Sequence, residues 1–197
     1  MVSRISPRSR AIGYVAGLLL VAALALANML QLPSIHGPLI LDPTNPKVTL
    51  DDVEREIIRR YPVDDISVSK LASMMATSAV TLFDVRTREE FEAGHLPGAI
   101  RIEPGSSAKD VLSAHRDQLG DRPVVFYCAV GVRSSQVLMQ TLRELAPLTK
   151  GQIFNLRGGV FRWAAEGGML VKGDEPGKPH PYDASWGKLL ARTIPGS

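Results

Sequence analysis

Residues 123–142 read PVVFYCAVGVRSSQVLMQTL. The run Val124, Val125, Phe126, Tyr127 is short, unbroken and apolar, rich in β-branched and aromatic side chains, which is the pattern of a strand buried on both faces. After Gly131 and two serines, apolar residues return at Val137, Leu138 and Leu142, a helical spacing that predicts a helix over Ser135 to Leu145. A buried strand running through a short loop into a helix is the unit from which α/β proteins are built.

The same alternation continues on both sides. Upstream, Val80 to Phe83 predicts a strand, and Thr87 with Glu90 three residues on predicts a capping box for a short helix to Ala93, ended by Gly94. A strand over Ala99 to Ile102 and a helix over Ser107 to Leu119 follow. Further back, Thr49 to Asp52 forms a capping box before Val53, Ile57 and Ile58, predicting a helix to about Tyr61 that Pro62 stops. Ile66 to Val68 predicts a short strand and Lys70 to Ala76 a helix. Downstream come a strand over Ile153 to Leu156 and a helix over Val160 to Ala165. The expected fold class is therefore α/β, a largely parallel sheet flanked by helices, over about 66–172. Residues 33–65 are expected to be a proline-rich linker and an accessory helix. In the tail, 173–197, Trp186, Leu189 and Leu190 fall on one helical face and are expected to dock back onto the domain.

The 197 residues carry 23 basic against 20 acidic side chains. Arg4, Arg8 and Arg10 lie in the first ten positions, where no acid occurs, and without them the charges balance at 20 of each. The basic excess is an N-terminal feature, which argues against a nucleic-acid partner, since such a partner needs a basic face on the folded domain. Behind the arginines, residues 11–27 contain no charged side chain, and the apolar character extends to Leu32. As a helix, 11–32 spans about 33 Å, enough to cross a hydrocarbon core of ~30 Å. Residues 1–32 are thus expected to be a cytoplasmic n-region and a membrane-crossing signal-anchor, with the rest of the chain on the exported, periplasmic side. Ala25-Leu26-Ala27 keeps a cleaved signal peptide open, although the apolar run exceeds the usual ~7–15 residues of a signal core.

Cys128 is the one cysteine. That excludes a disulfide framework, a CxxC redox pair and a multi-cysteine zinc site, and leaves either an inert buried thiol or a nucleophile. The surrounding residues favour the nucleophile. At the carboxyl edge of a parallel sheet, Cys128 sits where open α/β folds bind ligands. The N–H groups of Ala129 to Ser134 and the positive end of the following helix both favour an anion at the sulfur, the form in which cysteine attacks. Gly131 permits the tight turn, and Arg133 supplies a cation at the rim suited to an anionic substrate.

Phe83 to Phe91 (FDVRTREEF) with Gly94 to Ile100 (GHLPGAI), Cys128 to Ser134 (CAVGVRS), and Leu156 to Gly159 (LRGG) with Trp163 resemble, in order and spacing, the three signatures of rhodanese-like domains. The resemblance implies a sulfurtransferase fold and a persulfide on Cys128. Sulfane sulfur would come from thiosulfate or a similar small anionic donor and pass to a thiol, cyanide or protein acceptor. Ala129, Val130, Gly131, Val132, Arg133 and Ser134 would form the loop that binds the persulfide. With no second cysteine the acceptor must come from outside. Phosphatases of the same fold resemble one another in a longer Cys-x5-Arg loop; here four residues separate Cys128 from Arg133, which disfavours them. A rhodanese-like binding module without catalysis is the other alternative, against which the intact loop weighs.

Asp84 and Arg86 are expected to support the site through backbone and ion-pair contacts. His95 sits in a turn, and Trp163 is expected in the core. Ser134 and Ser135 are expected to cap the helix after the loop, Ser134 also as a partner for the sulfur. His36, His95, His115 and His180 show no i,i+4 ligand spacing, so neither a metal site nor a cofactor is expected.

Overall fold

The computed structural model describes residues 41–149 and 152–196. In chain order they form α1 (Leu50–Arg60), β1 (Asp65–Ile66), α2 (Val68–Thr77), β2 (Thr81–Asp84), α3 (Arg88–Ala93), β3 (Ile100–Arg101) and α4 (Ala108–His115). Then come β4 (Val124–Tyr127), α5 (Val132–Leu145), β5 (Ile153–Leu156), α6 (Gly159–Ala165), β6 (Val171–Lys172), β7 (Glu175–Pro176) and α7 (Ala184–Thr193). The first five strands make one sheet in the order β1-β5-β4-β2-β3, with every neighbouring pair parallel. β6 and β7 form a separate antiparallel pair. The expected helix over 11–32, with its arginines and cleavage site, lies outside the described residues. Among the described residues, no helix is long and apolar enough to cross a membrane.

Strand geometry explains the layering. Side chains alternate across a sheet, so Val124 and Phe126 of β4 join Phe83, Val111, Leu138 and Leu145 beneath α4 and α5. Val125 and Tyr127 face the other way and join Leu71, Leu82, Leu156, Val160 and Trp163 beneath α2 and α6. All four residues of β2 and of β4 are buried, as befits strands inside a parallel sheet covered on both faces, although only β4 is an uninterrupted apolar run. A third cluster lies beyond the sheet's carboxyl edge, where Val53 and Ile57 of α1 and Tyr61, which follows it, meet Phe161 of α6 and Leu189 and Leu190 of α7, with Ala129 and Val130.

Several expected boundaries move. Ser67 caps α2 through Lys70 N–H, so Val68 begins a helix instead of ending a strand. α4 ends at His115, and the remaining turn, Arg116–Gln118, is a 3₁₀ helix. The largest change is at α5, which begins at Val132 and not Ser135, because Gly131 in the left-handed region (φ 105°) turns the chain straight into the helix. Val132, Arg133 and Ser134 are therefore first-turn residues of α5 and not loop.

Asp84 and Arg86 lock the end of β2. The Asp84 carboxylate accepts from the Arg86 backbone N–H at 3.0 Å, from Nε at 2.9 Å and from Nη2 at 2.7 Å, and Nη2 also donates to the Gly94 carbonyl at 2.8 Å. Both side chains are wholly buried. Truncating one partner leaves the other charge buried without compensation. Asp84→Ala is expected to destabilise the domain by about 3–5 kcal/mol, read as a lowered urea midpoint at neutral pH; a loss below about 1 kcal/mol would assign the pair no structural weight.

Candidate active site

Cys128 follows β4 directly and is almost fully buried. Its Sγ accepts a hydrogen bond from the Gly131 N–H at 3.1 Å. Gly131 is also the N-cap of α5, so the sulfur lies at the positive end of a 14-residue helix. A second helix orients the peptide planes between them. The Val160 N–H donates to the Cys128 carbonyl at 2.9 Å, and the Phe161 N–H donates to the Ala129 carbonyl at 3.0 Å. Within each planar peptide the N–H points opposite to its carbonyl, so the amides of Ala129 and Val130 face away from α6. Only glycine fits at 159: a Cβ there would lie 2.3 Å from the Cys128 carbonyl oxygen, and φ is +52°.

Arg133 stands in the first turn of α5, two residues beyond Gly131, and its charge is already matched. Nη1 and Nη2 donate to the two oxygens of Glu90, each at 2.7 Å. The expected rim cation is thus bonded to a buried carboxylate that the sequence did not indicate as its partner. Burial works against the charged guanidinium, but the bonds to Glu90 and the charge of Cys128 outweigh it and hold the group above its ordinary value. For Glu90, burial raises the carboxyl pKa, while the Arg133 bonds and charge, the Thr87 N–H and Arg86 pull it down; the net shift is downward. Glu90 also closes the capping box of α3 with Thr87, so one carboxylate starts a helix and holds Arg133.

The serines do not act as expected. α5 has no side-chain cap. Ser134 Oγ donates to Asn155 Oδ1 at 2.6 Å, and Asn155 Nδ2 donates to Asp65 Oδ1 at 2.7 Å, tying α5 to β5 and β1. Ser135 Oγ is buried without a partner. Asp84 and Arg86 are bonded to each other and are not among the residues that wall the space over Cys128. His95 stacks on Phe91 with ring centroids 3.7 Å apart and bonds the Phe91 carbonyl through Nδ1. Trp163 is core, with Nε1 donating to the Met169 carbonyl. No cluster of three metal-ligating side chains occurs among the described residues.

Over Cys128 lies a cavity of about 150 Å³, walled by Ala129, Val130, Val132, Arg133, Tyr182 and Trp186. The last two were not expected at the site. The Tyr182 ring covers the Arg133 guanidinium at 4.7 Å, and its backbone takes φ 70°, rare for a side-chain-bearing residue. Asp183 caps α7, accepting from Ser185 N–H at 2.8 Å and Trp186 N–H at 2.9 Å. Sequence spacing marked Trp186 only as part of an apolar face, and nothing local marked Tyr182.

The rhodanese-like domain family matches residues 67–166. The chain is 38% identical over 82 residues to the thiosulfate:glutathione sulfurtransferase of Homo sapiens, covering 36% of this chain and 70% of that protein. It is 31% identical over 111 residues to a sulfurtransferase of Allochromatium vinosum, covering 55% of this chain and 95% of that one. Among solved structures, a rhodanese-related protein from Thermoplasma volcanium aligns with a TM-score of 0.44 and 25% identity, over 55% of this chain and 98% of that chain.

The lowered Glu90 pKa sets a direction for acid sensitivity. A carboxylate with a depressed folded-state pKa contributes stability above its ordinary value, here 4.5, and loses it as pH falls through the lowered value. Glu90→Gln is therefore expected to be less stable than the parent at neutral pH, with the gap closing below pH 4.5. Urea midpoints measured across this range check it, and a gap that stays constant with pH would contradict the assignment.

Proposed function

The chain belongs to the rhodanese-like domain family, and from that membership we propose a sulfurtransferase that works through a Cys128 persulfide. The observation that carries the reading is the Gly131 N–H bonded to Cys128 Sγ at the start of α5, at the wall of a cavity. The thiolate of Cys128 attacks the sulfane sulfur of thiosulfate or a related donor; a new S–S bond forms, the donor's S–S bond breaks, and sulfite leaves with the electron pair. The Gly131 N–H and the first turn of α5 stabilise the negative persulfide, as an oxyanion hole stabilises developing charge. A thiol, cyanide or protein acceptor then takes the outer sulfur and regenerates the thiolate. Thiosulfate and glutathione are named for the human relative; for this chain, thiosulfate as donor and an external thiol as acceptor are part of the proposal. No metal or cofactor enters the chemistry.

Residues 66–172 are the catalytic domain in this reading, with 33–65 the linker and accessory helix and 173–197 the tail. Arg4, Arg8 and Arg10 before the apolar run to Leu32 support a signal-anchor that holds the domain on the exported side of a membrane. Removal of 1–32 is expected to shift the chain from the membrane to the soluble fraction, and an unchanged distribution would remove the anchor from the proposal.

Incubation of the full chain with thiosulfate is expected to add the mass of one sulfur atom, lost again on addition of cyanide with release of thiocyanate. Cys128→Ser is expected to show neither event. Failure of the parent chain to gain sulfur or form thiocyanate with any sulfane donor would refute the enzyme.

A further inference from the structure

We infer that Tyr182 and Trp186 make the cavity over Cys128 a binding site for the apolar, ring-sized group of an organic sulfane-sulfur donor, such as a thiosulfonate, in preference to inorganic thiosulfate. The inference rests on the sulfur-transfer reading of Cys128 and specifies its donor.

Charge is the first argument. Thiosulfate is a small dianion, and removing it from water needs cations or donors to replace its hydration. Arg133 is the one charged side chain in the cavity wall among the described residues, and Glu90 already binds both of its terminal nitrogens. The pair presents almost no net charge to a dianion. A thiosulfonate carries a single negative charge at its sulfane end, to which the Gly131 N–H and the start of α5 can donate. Its other end is uncharged and needs apolar surface.

Shape is the second. Apart from Arg133, the walls above the sulfur are Ala129, Val130, Val132 and the two aromatic rings. An apolar cavity of ~150 Å³ is the size that holds a benzene ring, and this cavity is of that volume. Aromatic rings add favourable offset or edge contacts to a bound ring beyond the area buried.

The third argument is that these rings are built into place. Asp183 caps α7 beside both of them, and Leu189 and Leu190 anchor the helix in the cluster with Phe161. Arg192 Nη2 donates to the carbonyls of Pro43, Asn45 and Val48. Tyr182 holds a left-handed backbone unfavourable for a residue with a side chain, and such strain is retained where the surrounding structure enforces it. The reaction balances without another reagent: the Cys128 thiolate bonds to the sulfane sulfur, the donor's S–S bond breaks, and an organic sulfinate leaves with the electron pair.

The test compares benzenethiosulfonate, methanethiosulfonate and thiosulfate on the full chain, with cyanide as acceptor and thiocyanate as readout. The two thiosulfonates share a sulfinate leaving group, so their ratio of kcat/KM reports mainly on the pocket. Benzenethiosulfonate is expected to exceed methanethiosulfonate by about tenfold, the scale of one well-placed apolar contact, and thiosulfate to be the poorest. Tyr182→Gly, which removes the ring at a backbone angle glycine tolerates, and Trp186→Ala are each expected to bring that ratio most of the way to one, while Trp186→Phe retains it. A ratio near one in the parent, or one that neither ring deletion moves while Cys128 still takes up sulfur, overturns the inference alone. No sulfur on Cys128 from any of the three donors overturns the transfer reading with it.

Discussion

Two hydrogen bonds from the start of α6 hold the peptide planes that follow Cys128. Val160 and Phe161 donate to the carbonyls of Cys128 and Ala129, which leaves the opposing amides directed away from α6. A buried carbonyl deprived of its donor costs ~1–3 kcal/mol, so the loop has little freedom to turn its peptides over. The arrangement depends on Gly159, where any side chain would collide with the same carbonyls. It depends equally on the placement of α6. Arg162 of that helix binds Glu54 of α1 through Nε at 2.7 Å and Asp51 of α1 through Nη2. A helix outside the sheet, and outside the 67–166 family match, thus helps set the loop around the sulfur.

Charge at the site is matched locally. Glu90, Arg133 and Tyr182 form a stack in which the carboxylate neutralises the guanidinium along its edge and the phenol ring covers its face. Arg133 is held in one position, and its charge acts on the sulfur together with the backbone dipoles of the Gly131 N–H and the start of α5. Backbone donors are fixed by the fold, and in the proposed persulfide they would need no reorganisation as charge moves between the inner and outer sulfur.

The proposed chemistry and the inferred selectivity draw on different parts of the chain. Cys128, Gly131 and the amides around them belong to the strand–loop–helix unit at the centre of the sheet. The shape of the space above them belongs to the tail, through Tyr182, Trp186 and the packing of α7 on α1 and α6. A tail of different sequence on the same sheet would leave the sulfur in the same backbone environment under a different roof.

What could be read from residues alone was local. The apolar run of Val124 to Tyr127 and the apolar spacing after Gly131 determined a strand–loop–helix unit and put Cys128 at its turn, and Thr49 with Asp52 and Thr87 with Glu90 announced two helix starts that the structure contains. Each of these signals acts within a few residues, where backbone geometry fixes which groups meet. Tertiary structure decided the rest. Glu90 and Arg133 are 43 positions apart, and Ser134 and Asn155 are 21. Tyr182 reaches Arg133 only because α7 docks beside the loop. Sheet order and helix packing bring these groups together, and no local propensity encodes which of several available carboxylates or rings will arrive beside a given guanidinium.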